Sequence, residues 1–380
     1  MTARHRARGN GVGLGGRAPR QHFVHSADDG PRFPLNDMSR FLRASLGDGF
    51  GYTPGEQPAD GREWVKLNTN ESPMAPAPGV AAAVAAAAAN LHRYPSADGE
   101  PLRSAVAAHH AVESSQVALG NGADALINDC LRAFCEPGTS VLLTQPTYSL
   151  LAVAARIHGL GAHVVAMGAD GSLAHAFTTT PAPLRVLVNP NTPTGTWIEP
   201  EHLATALDGA AGVVVIDEAY CDFAPRSCIP LLADHPQWLV LRTFSKSYSL
   251  AGLRVGYAVG SPDLVADLRA VGESYPVDRC AIAGAHAALD DAAHHGRIVE
   301  TVLSERRRLT EQFTARGWQL TPSQANFICA VPPTGTARET AEVFRAAHVL
   351  VRCFDDGGRG LLRITIGSPA ENDALLAAIA

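Results

Sequence analysis

The sequence lacks the marks of several large classes of protein. No apolar run is long enough for a membrane-spanning helix, since the alanine-rich stretch at residues 80–89 is flanked by Pro-rich and polar segments. The seven cysteines show neither the Cys-x-x-Cys nor the Cys/His spacing of a zinc site, so no metal is expected. They are expected to be reduced thiols of a cytoplasmic protein. The net charge of −6 and the mixture of acids and bases give no electrostatic reason to bind nucleic acid or membranes.

The N-terminal segment lacks the apolar stretch of a secretory signal and is rich in Arg and Gly. Residues 1–37 are therefore expected to be a disordered tail. Translation is expected to begin at Met38, because the sequence takes on the pattern of a folded protein only from there. A peptide from upstream of Met38, identified by mass spectrometry, would refute this.

Short apolar runs alternate with helical patterns between Pro101 and Gly260, which predicts an α/β fold. The runs are apolar throughout, as in strands of a mostly parallel sheet covered on both faces. We expect a three-layer sandwich with a large domain at residues 81–265. Residues 38–80 are expected to join a smaller α+β domain formed by residues 266–380. The predicted strands are Ser140–Leu143, His163–Met167, Arg185–Val188, Gly212–Ile216, Trp238–Leu241 and Val255–Val259.

Polar signals follow these runs, at the sheet edge where α/β proteins bind ligands. Gly120–Asp124 opens a helix whose free N–H groups could bind phosphate, although an ordinary helix start explains it equally well. Asp217 follows a buried strand, where an ionised carboxylate needs a cation or hydrogen bonds. A protonated pyridine nitrogen is one such cation, and an Asp that only caps the next turn is the alternative.

Two further segments contain candidate site residues, namely a lysine with a nearby arginine and an asparagine in a turn. Lys246 follows a strand and lies between serines, a setting in which a lowered pKa would make it a nucleophile. Arg254, eight residues later, suits phosphate, and Asn191 lies in a turn fixed by two prolines and a glycine. Taken singly, Lys246 could be a solvated surface lysine and Arg254 a member of a structural ion pair. The turn that contains Asn191 could be a rigid loop that binds no ligand.

In this order the segments resemble the fold-type-I aminotransferases that depend on pyridoxal phosphate (PLP), and within them the histidinol-phosphate aminotransferase group. The similarity runs from about Tyr52 to the C-terminus, and Ser245–Tyr257 is its most specific part. The other matching segments are Lys66–Pro73, Arg93–Pro95, Gly120–Asp124, Gln145–Tyr148, Asn189–Gly195, Asp217–Tyr220 and Leu362–Gly367.

The resemblance implies a role for each residue around the ring of the cofactor. Lys246 would form the Schiff base and move the proton at the substrate α-carbon. Asp217 would pair with the ring nitrogen, and Asn191 and Tyr220 would hydrogen-bond the phenolic oxygen. Tyr148 would stack on the ring face.

The resemblance also implies a phosphate site and a homodimer. Tyr94 would reach the cofactor phosphate of a second subunit, so two copies would be needed. Within one chain, the implied phosphate-binding residues are Gly122, Ala123, Asp124, Ser245 and Arg254.

The implied substrates are L-histidinol phosphate and the 2-oxoglutarate/glutamate pair, as in histidine biosynthesis. Arg363 would bind the anionic end of either substrate. Arg352 matches a second, substrate-binding arginine of the family, and Tyr52 would reach the substrate phosphate. Ser72 and the short stretch around Gly357 and Gly358 depart from the family pattern.

Those departures leave three alternatives that share the same core. They are an aromatic aminotransferase, an aminotransferase of secondary metabolism and a threonine-phosphate decarboxylase. A non-catalytic regulator is disfavoured because Lys246 and Asp217 are both present and residues 1–50 contain no DNA-binding pattern.

Overall fold

The computed structural model describes residues 39, 41–46, 51–59, 61–168, 170–355 and 357–379. The predicted tail at residues 1–37 and the predicted start at Met38 lie outside these residues. No helix within the described ranges combines the length and apolarity needed to cross a lipid bilayer.

Strands of two sheets are interspersed with helices along the chain. The described strands are β1 (Val65–Leu67), β2 (Val117–Asn121), β3 (Ser140–Gln145), β4 (Gly161–Ala166), β5 (Leu184–Val188), β6 (Val213–Asp217), β7 (Trp238–Thr243), β8 (Val255–Gly260), β9 (Gln319–Thr321), β10 (Phe327–Val331), β11 (Val349–Phe354) and β12 (Leu361–Thr365).

Eleven α-helices and four single-turn 3₁₀ helices complete the described secondary structure. The α-helices are α1 (Gly79–Ala88), α2 (Leu102–His109), α3 (Gly122–Phe134), α4 (Leu150–Ile157), α5 (His175–Thr179), α6 (Pro200–Ala206), α7 (Pro262–Val271), α8 (Arg279–Asp290), α9 (Ala292–Ala315), α10 (Ala337–Ala346) and α11 (Pro369–Ala377). The 3₁₀ helices are Ser114–Gln116, Cys221–Phe223, Ile229–Leu231 and Ala251–Leu253.

The larger sheet has seven strands in the order β2-β8-β7-β6-β5-β3-β4. Strands β3 to β7 run parallel, whereas β8 is antiparallel to both of its neighbours. Every residue of β5, β7 and β8 is buried, and apolar core clusters lie on both faces of the sheet. The predicted α/β fold, with a mostly parallel sheet covered on both sides, is therefore confirmed.

The smaller sheet has the order β1-β11-β12-β10-β9 and a separate apolar core that includes residues of α9, α10 and α11. Strand β1 belongs to the predicted N-terminal segment and pairs with β11 in parallel. The domain boundaries at residues 80 and 265 stay predictions.

The predicted helix start within Gly120–Asp124 is confirmed, because α3 begins at Gly122. The sequence did not predict strand β2, whose last two residues are Gly120 and Asn121. Strand β2 pairs with β8 along its whole length, so tertiary pairing rather than local propensity determines its conformation. The helix start therefore lies at an edge of the larger sheet.

Candidate active site

The parallel part of the larger sheet brings Asp217 and Lys246 to one cavity. Asp217 is the last residue of β6, and Lys246 lies three residues after the end of β7, its parallel neighbour. Parallel neighbours present their carboxyl ends at the same edge of a sheet, so residues that follow them converge. Both residues line one open cavity.

Residues of both sheets and of the segment around Tyr52 line this cavity. The lining is Tyr52, Gly55, Asn68, Thr69, Asn70, Ala123, Asp124, Tyr148, Val188, Thr192, Asp217, Ala219, Tyr220, Thr243, Ser245, Lys246, Arg254, Arg352 and Arg363.

The Asp217 carboxyl is almost fully buried, with 4% of the residue exposed. Its Oδ1 accepts a hydrogen bond of 3.0 Å from the backbone N–H of Ala219. Burial raises the pKa of Asp217 to about 7, and the nearby Asp124 and Glu218 carboxyls act in the same direction. A carboxyl with this pKa is only about half ionised at neutral pH, and a cation beside it would favour the ionised form, so a ligand with a positive charge suits Asp217.

The cavity lining contains one lysine amine, that of Lys246. Its Nζ donates a long hydrogen bond of 3.4 Å to the Thr69 carbonyl oxygen and lies 5.7 Å from the centroid of the Tyr220 ring. Burial lowers the pKa of Lys246 to about 8, and the Arg363 guanidinium lowers it further. About half of the amine is then unprotonated at pH 8, against well under one per cent for an ordinary lysine.

Lysine is rare in this sequence, and only Lys66 and Lys246 occur. Lys66 is not part of the cavity lining, and its Nζ is 2.6 Å from Glu71 Oε2 in an ion pair. Lys246 is therefore the lysine placed for covalent chemistry.

The beginning of α3 forms a site suited to phosphate. Gly122 has φ +76°, and a Cβ there would lie 2.7 Å from Arg254 Nη2, so the absence of a side chain lets the arginine approach the helix start. Arg254 Nη1 is 3.4 Å from Ser245 Oγ, and its Nη2 is 3.1 Å from Asp124 Oδ2. Helix N–H groups, a hydroxyl and a guanidinium are the donors that bind phosphate in proteins.

These residues fit the predicted pyridoxal phosphate in three respects. The helix start and Arg254 suit its phosphate, Asp217 suits its protonated ring nitrogen, and Lys246 suits its carbonyl carbon. All three line the same cavity as the Ala123 and Asp124 backbone.

The Tyr220 hydroxyl is positioned by a residue that the sequence analysis missed. Asn70 Nδ2 donates to Tyr220 Oη over 3.0 Å, and Asn70 Oδ1 accepts from Thr365 Oγ1 at 3.2 Å. Asn70 has φ +54°, a conformation that Asn adopts more easily than most residues. Burial raises the pKa of Tyr220, so its hydroxyl keeps its proton and can donate to an oxygen of a ligand.

Tyr148 and Tyr52 lie together at the cavity. Their ring centroids are 5.9 Å apart in an edge-to-face arrangement, and Tyr148 Oη donates to Asp124 Oδ1 over 3.3 Å. Both residues line the cavity, and their contacts with cofactor and substrate stay predictions.

Arg352 and Arg363 occupy directly opposite positions on the antiparallel strands β11 and β12. Arg363 Nη1 donates to Thr192 Oγ1 and its Nη2 to the Asn68 carbonyl, both over 3.0 Å. Thr192 is another residue that the sequence analysis missed. Like charges directly opposite each other on a sheet are unfavourable, so this pair favours an anion in the cavity.

Three predicted cofactor residues, Gly122, Asn191 and Tyr94, do not line the cavity. Asn191 Nδ2 donates to the Pro146 carbonyl and to Thr194 Oγ1, at 3.0 and 2.9 Å, so its amide group is not directed at the cavity. Tyr94 is 76% exposed, and its ring stacks on Tyr275 with 4.5 Å between centroids. The predicted contact of Asn191 gains no support from this arrangement, and all three roles stay predictions.

Comparison with known proteins gives one consistent family. The sequence profile of the family described as "Aminotransferase class I and II" matches residues 62–379. Histidinol-phosphate aminotransferase 1 of Pseudomonas aeruginosa is 40% identical over 90% of this chain and 99% of its own length. Histidinol-phosphate aminotransferase 2 of Thiobacillus denitrificans is 39% identical over 90% of this chain and 97% of its own length.

A solved structure shows the same similarity. The histidinol-phosphate aminotransferase of Sinorhizobium meliloti, in complex with pyridoxal-5'-phosphate, superimposes with a TM-score of 0.78 at 28% identity. The alignment covers 84% of this chain and 91% of that one.

Proposed function

The chain belongs to the class I and II aminotransferase family, and from this we propose that it transfers an amino group between L-histidinol phosphate and 2-oxoglutarate, with pyridoxal phosphate as cofactor. The observation that carries the proposal is one cavity lined by Lys246, Asp217 and the opposed arginines Arg352 and Arg363. The relatives named as histidinol-phosphate aminotransferases support the choice of substrate.

The side chains divide the chemistry between them. Bound pyridoxal phosphate supplies an electron-accepting ring in conjugation with the substrate α-carbon. The Lys246 amine, whose pKa is lowered to about 8, can take a proton from the α-carbon and return it at another position. The Asp217 carboxylate would hold a proton at the ring nitrogen, and the Tyr220 hydroxyl would donate to the ring oxygen.

The two arginines account for the proposed substrates. Arg363 offers a planar fork suited to a carboxylate or to two oxygens of a phosphate. A phosphate has a third oxygen and a second negative charge, which Arg352 and Tyr52 can serve. The same site can therefore accept histidinol phosphate and glutamate in turn.

A panel of amino donors tests this function. Histidinol phosphate, glutamate, phenylalanine and threonine phosphate are each mixed with the holoenzyme, and the half-reaction is followed by cofactor absorbance. Histidinol phosphate and glutamate are expected to react fastest. Preference for phenylalanine would favour an aromatic aminotransferase, and release of CO₂ from threonine phosphate would favour the decarboxylase.

The fork of Arg363 gives a second test. Arg363→Lys keeps the positive charge but loses the bidentate geometry, so KM should rise roughly tenfold for both histidinol phosphate and glutamate, from about 1.4 kcal/mol of lost binding. Steady-state kinetics with each substrate measures the change. Arg316→Lys is the control, because Arg316 is exposed and bonds only within its own helix turn. An effect on one substrate alone would contradict the shared anion site.

The proposed active form is a cytoplasmic homodimer. The exposed, stacked pair of Tyr94 and Tyr275 offers an aromatic surface to a second subunit. All seven cysteines are free, as is common for cytoplasmic proteins.

A further inference from the structure

Residues 51–59 form a segment without helix or strand that contributes Tyr52 and Gly55 to the cavity lining. We call it the N-terminal strap. It approaches the cavity closely, since a Cβ at Gly55 would clash with Thr69 Cγ2 and would lie 3.6 Å from Arg352 Nη1. The strap therefore packs directly against one of the two opposed arginines.

A double ion pair fastens the strap to α10. Arg345 Nη1 lies 3.0 and 2.8 Å from the two carboxylate oxygens of Glu56, and its Nη2 lies 2.8 and 2.7 Å from them. The Arg345 guanidinium also lies over the Trp64 ring, 5.7 Å from its centroid. Such a fork-to-carboxylate pair fixes orientation as well as distance, unlike an ordinary surface ion pair.

Two backbone contacts extend this attachment towards the cavity. Asn68 Nδ2 donates to the Glu56 carbonyl oxygen, and Arg352 Nη2 donates to the Thr53 carbonyl oxygen, each over 3.0 Å. Tyr52 directly precedes Thr53 in the strap, and its ring packs edge-to-face against that of Tyr148. The Glu56 ion pair thus lies outside the cavity lining, on the same short segment as the Tyr52 ring and the Thr53 carbonyl that Arg352 contacts.

The attachment joins the strap to the element that carries the arginine. Helix α10 leads through a short turn into β11, on which Arg352 lies opposite Arg363. Arg345 therefore connects the strap to the helix that directly precedes the strand of Arg352.

We infer that the Glu56–Arg345 pair determines specificity, by positioning Tyr52 against the two opposed arginines so that the enzyme favours a phosphate-bearing donor. This inference rests on the proposed function. A phosphate needs Tyr52 and Arg352 in addition to Arg363, whereas a carboxylate is satisfied by the Arg363 fork. Loosening the strap should therefore weaken the use of the phosphate donor much more than that of glutamate.

The test compares Glu56→Gln with wild-type holoenzyme. For Glu56→Gln we expect kcat/KM for histidinol phosphate to fall roughly tenfold, mainly through KM, and kcat/KM for glutamate to change less than about twofold. Limited digestion with chymotrypsin should cut after Tyr52 several times faster, because cleavage follows local opening of the strap. The digestion reports the strap independently of turnover.

Three further variants complete the design. Arg338→Gln is the matched control, because Arg338 is also on α10 and its ion pair with Asp355 is remote from the strap; both readouts should stay at wild-type values. The double variant Glu56→Arg with Arg345→Glu restores an ion pair of reversed polarity. It should recover most of the wild-type preference for histidinol phosphate over glutamate. If Glu56→Gln does not fold, Arg345→Lys gives the same comparison with a smaller expected effect.

The outcomes separate this inference from the proposed function. If wild-type enzyme does not use histidinol phosphate, the proposed function fails and the inference fails with it. Suppose instead that wild-type enzyme uses histidinol phosphate. The inference alone is then overturned if Glu56→Gln lowers kcat/KM equally for both substrates, changes neither value, or leaves the digestion rate unchanged.

Discussion

Replacing Lys246 with alanine should lower kcat by at least about four orders of magnitude. A positioned acid–base group contributes roughly 10²- to 10⁴-fold, and the point of covalent attachment is lost as well. The cofactor should still bind noncovalently, because the Arg254 and α3 phosphate site does not depend on Lys246. Turnover of histidinol phosphate with 2-oxoglutarate measures the first effect, and equilibrium dialysis of the cofactor measures the second.

The other lysine provides the control for this prediction. Lys66→Arg keeps the ion pair with Glu71 and should retain wild-type activity, since Lys66 does not line the cavity. Wild-type activity in Lys246→Ala would rule out the proposed chemistry. Circular dichroism of both variants shows whether the fold is retained.

Asp217→Asn should lower kcat roughly a hundredfold, corresponding to about 3 kcal/mol of transition-state stabilisation. The amide has the shape of the carboxylate but no negative charge, so the ring nitrogen loses the partner that keeps it protonated. Burial raises the pKa of Asp217 to about 7, and pairing with a protonated ring nitrogen would stabilise the ionised form. Below about pH 7 the unpaired Asp217 carboxyl is mostly protonated. A cation bound beside it would lower its pKa, so that it stays ionised at lower pH.

The measurement for Asp217→Asn is kcat together with the absorbance spectrum of the bound cofactor between about pH 6 and 9. Asp208→Asn changes an exposed acid outside the cavity lining and is the matched control. A change of less than twofold in the Asp217 variant would contradict its pairing with the ring nitrogen.

Much of the fold could be predicted because its strands are buried on both faces. A run such as Trp238–Leu241 must be apolar throughout when helices cover both sides, so the sequence pattern reveals it directly. The antiparallel direction of β8 could not be predicted, because an apolar run has the same pattern in either direction. Strand β2 was missed because its two last residues belong to a glycine-rich turn pattern.

The convergence of Asp217 and Lys246 could be predicted for a similar reason, whereas their roles towards the cofactor came from the family resemblance. Asp217 ends one buried strand and Lys246 follows its parallel neighbour, and parallel topology brings such residues together. Asn70 and Thr192 were missed because their contacts join segments far apart in the chain. Asn70, for example, is bonded to Thr365, 295 residues away. Only the polar Asn-Thr-Asn run directly after β1 could have drawn attention to Asn70.

Substrate preference depends on contacts that no local pattern reveals. Arg352 and Arg363 become neighbours through the register of β11 and β12, and the strap contacts Arg352 through the Thr53 carbonyl oxygen. The predicted role of Tyr94 depends on a second chain, so it too lies beyond what one sequence segment can specify.

The most direct test is to find which lysine carries the cofactor. The holoenzyme is reduced with borohydride, which makes the link permanent, then digested and analysed by mass spectrometry. With only two lysines in the chain, the result is unambiguous: we predict a pyridoxyl group on the peptide containing Lys246 and none on that containing Lys66. A cofactor attached to Lys66, or no attached cofactor at all, would contradict the account.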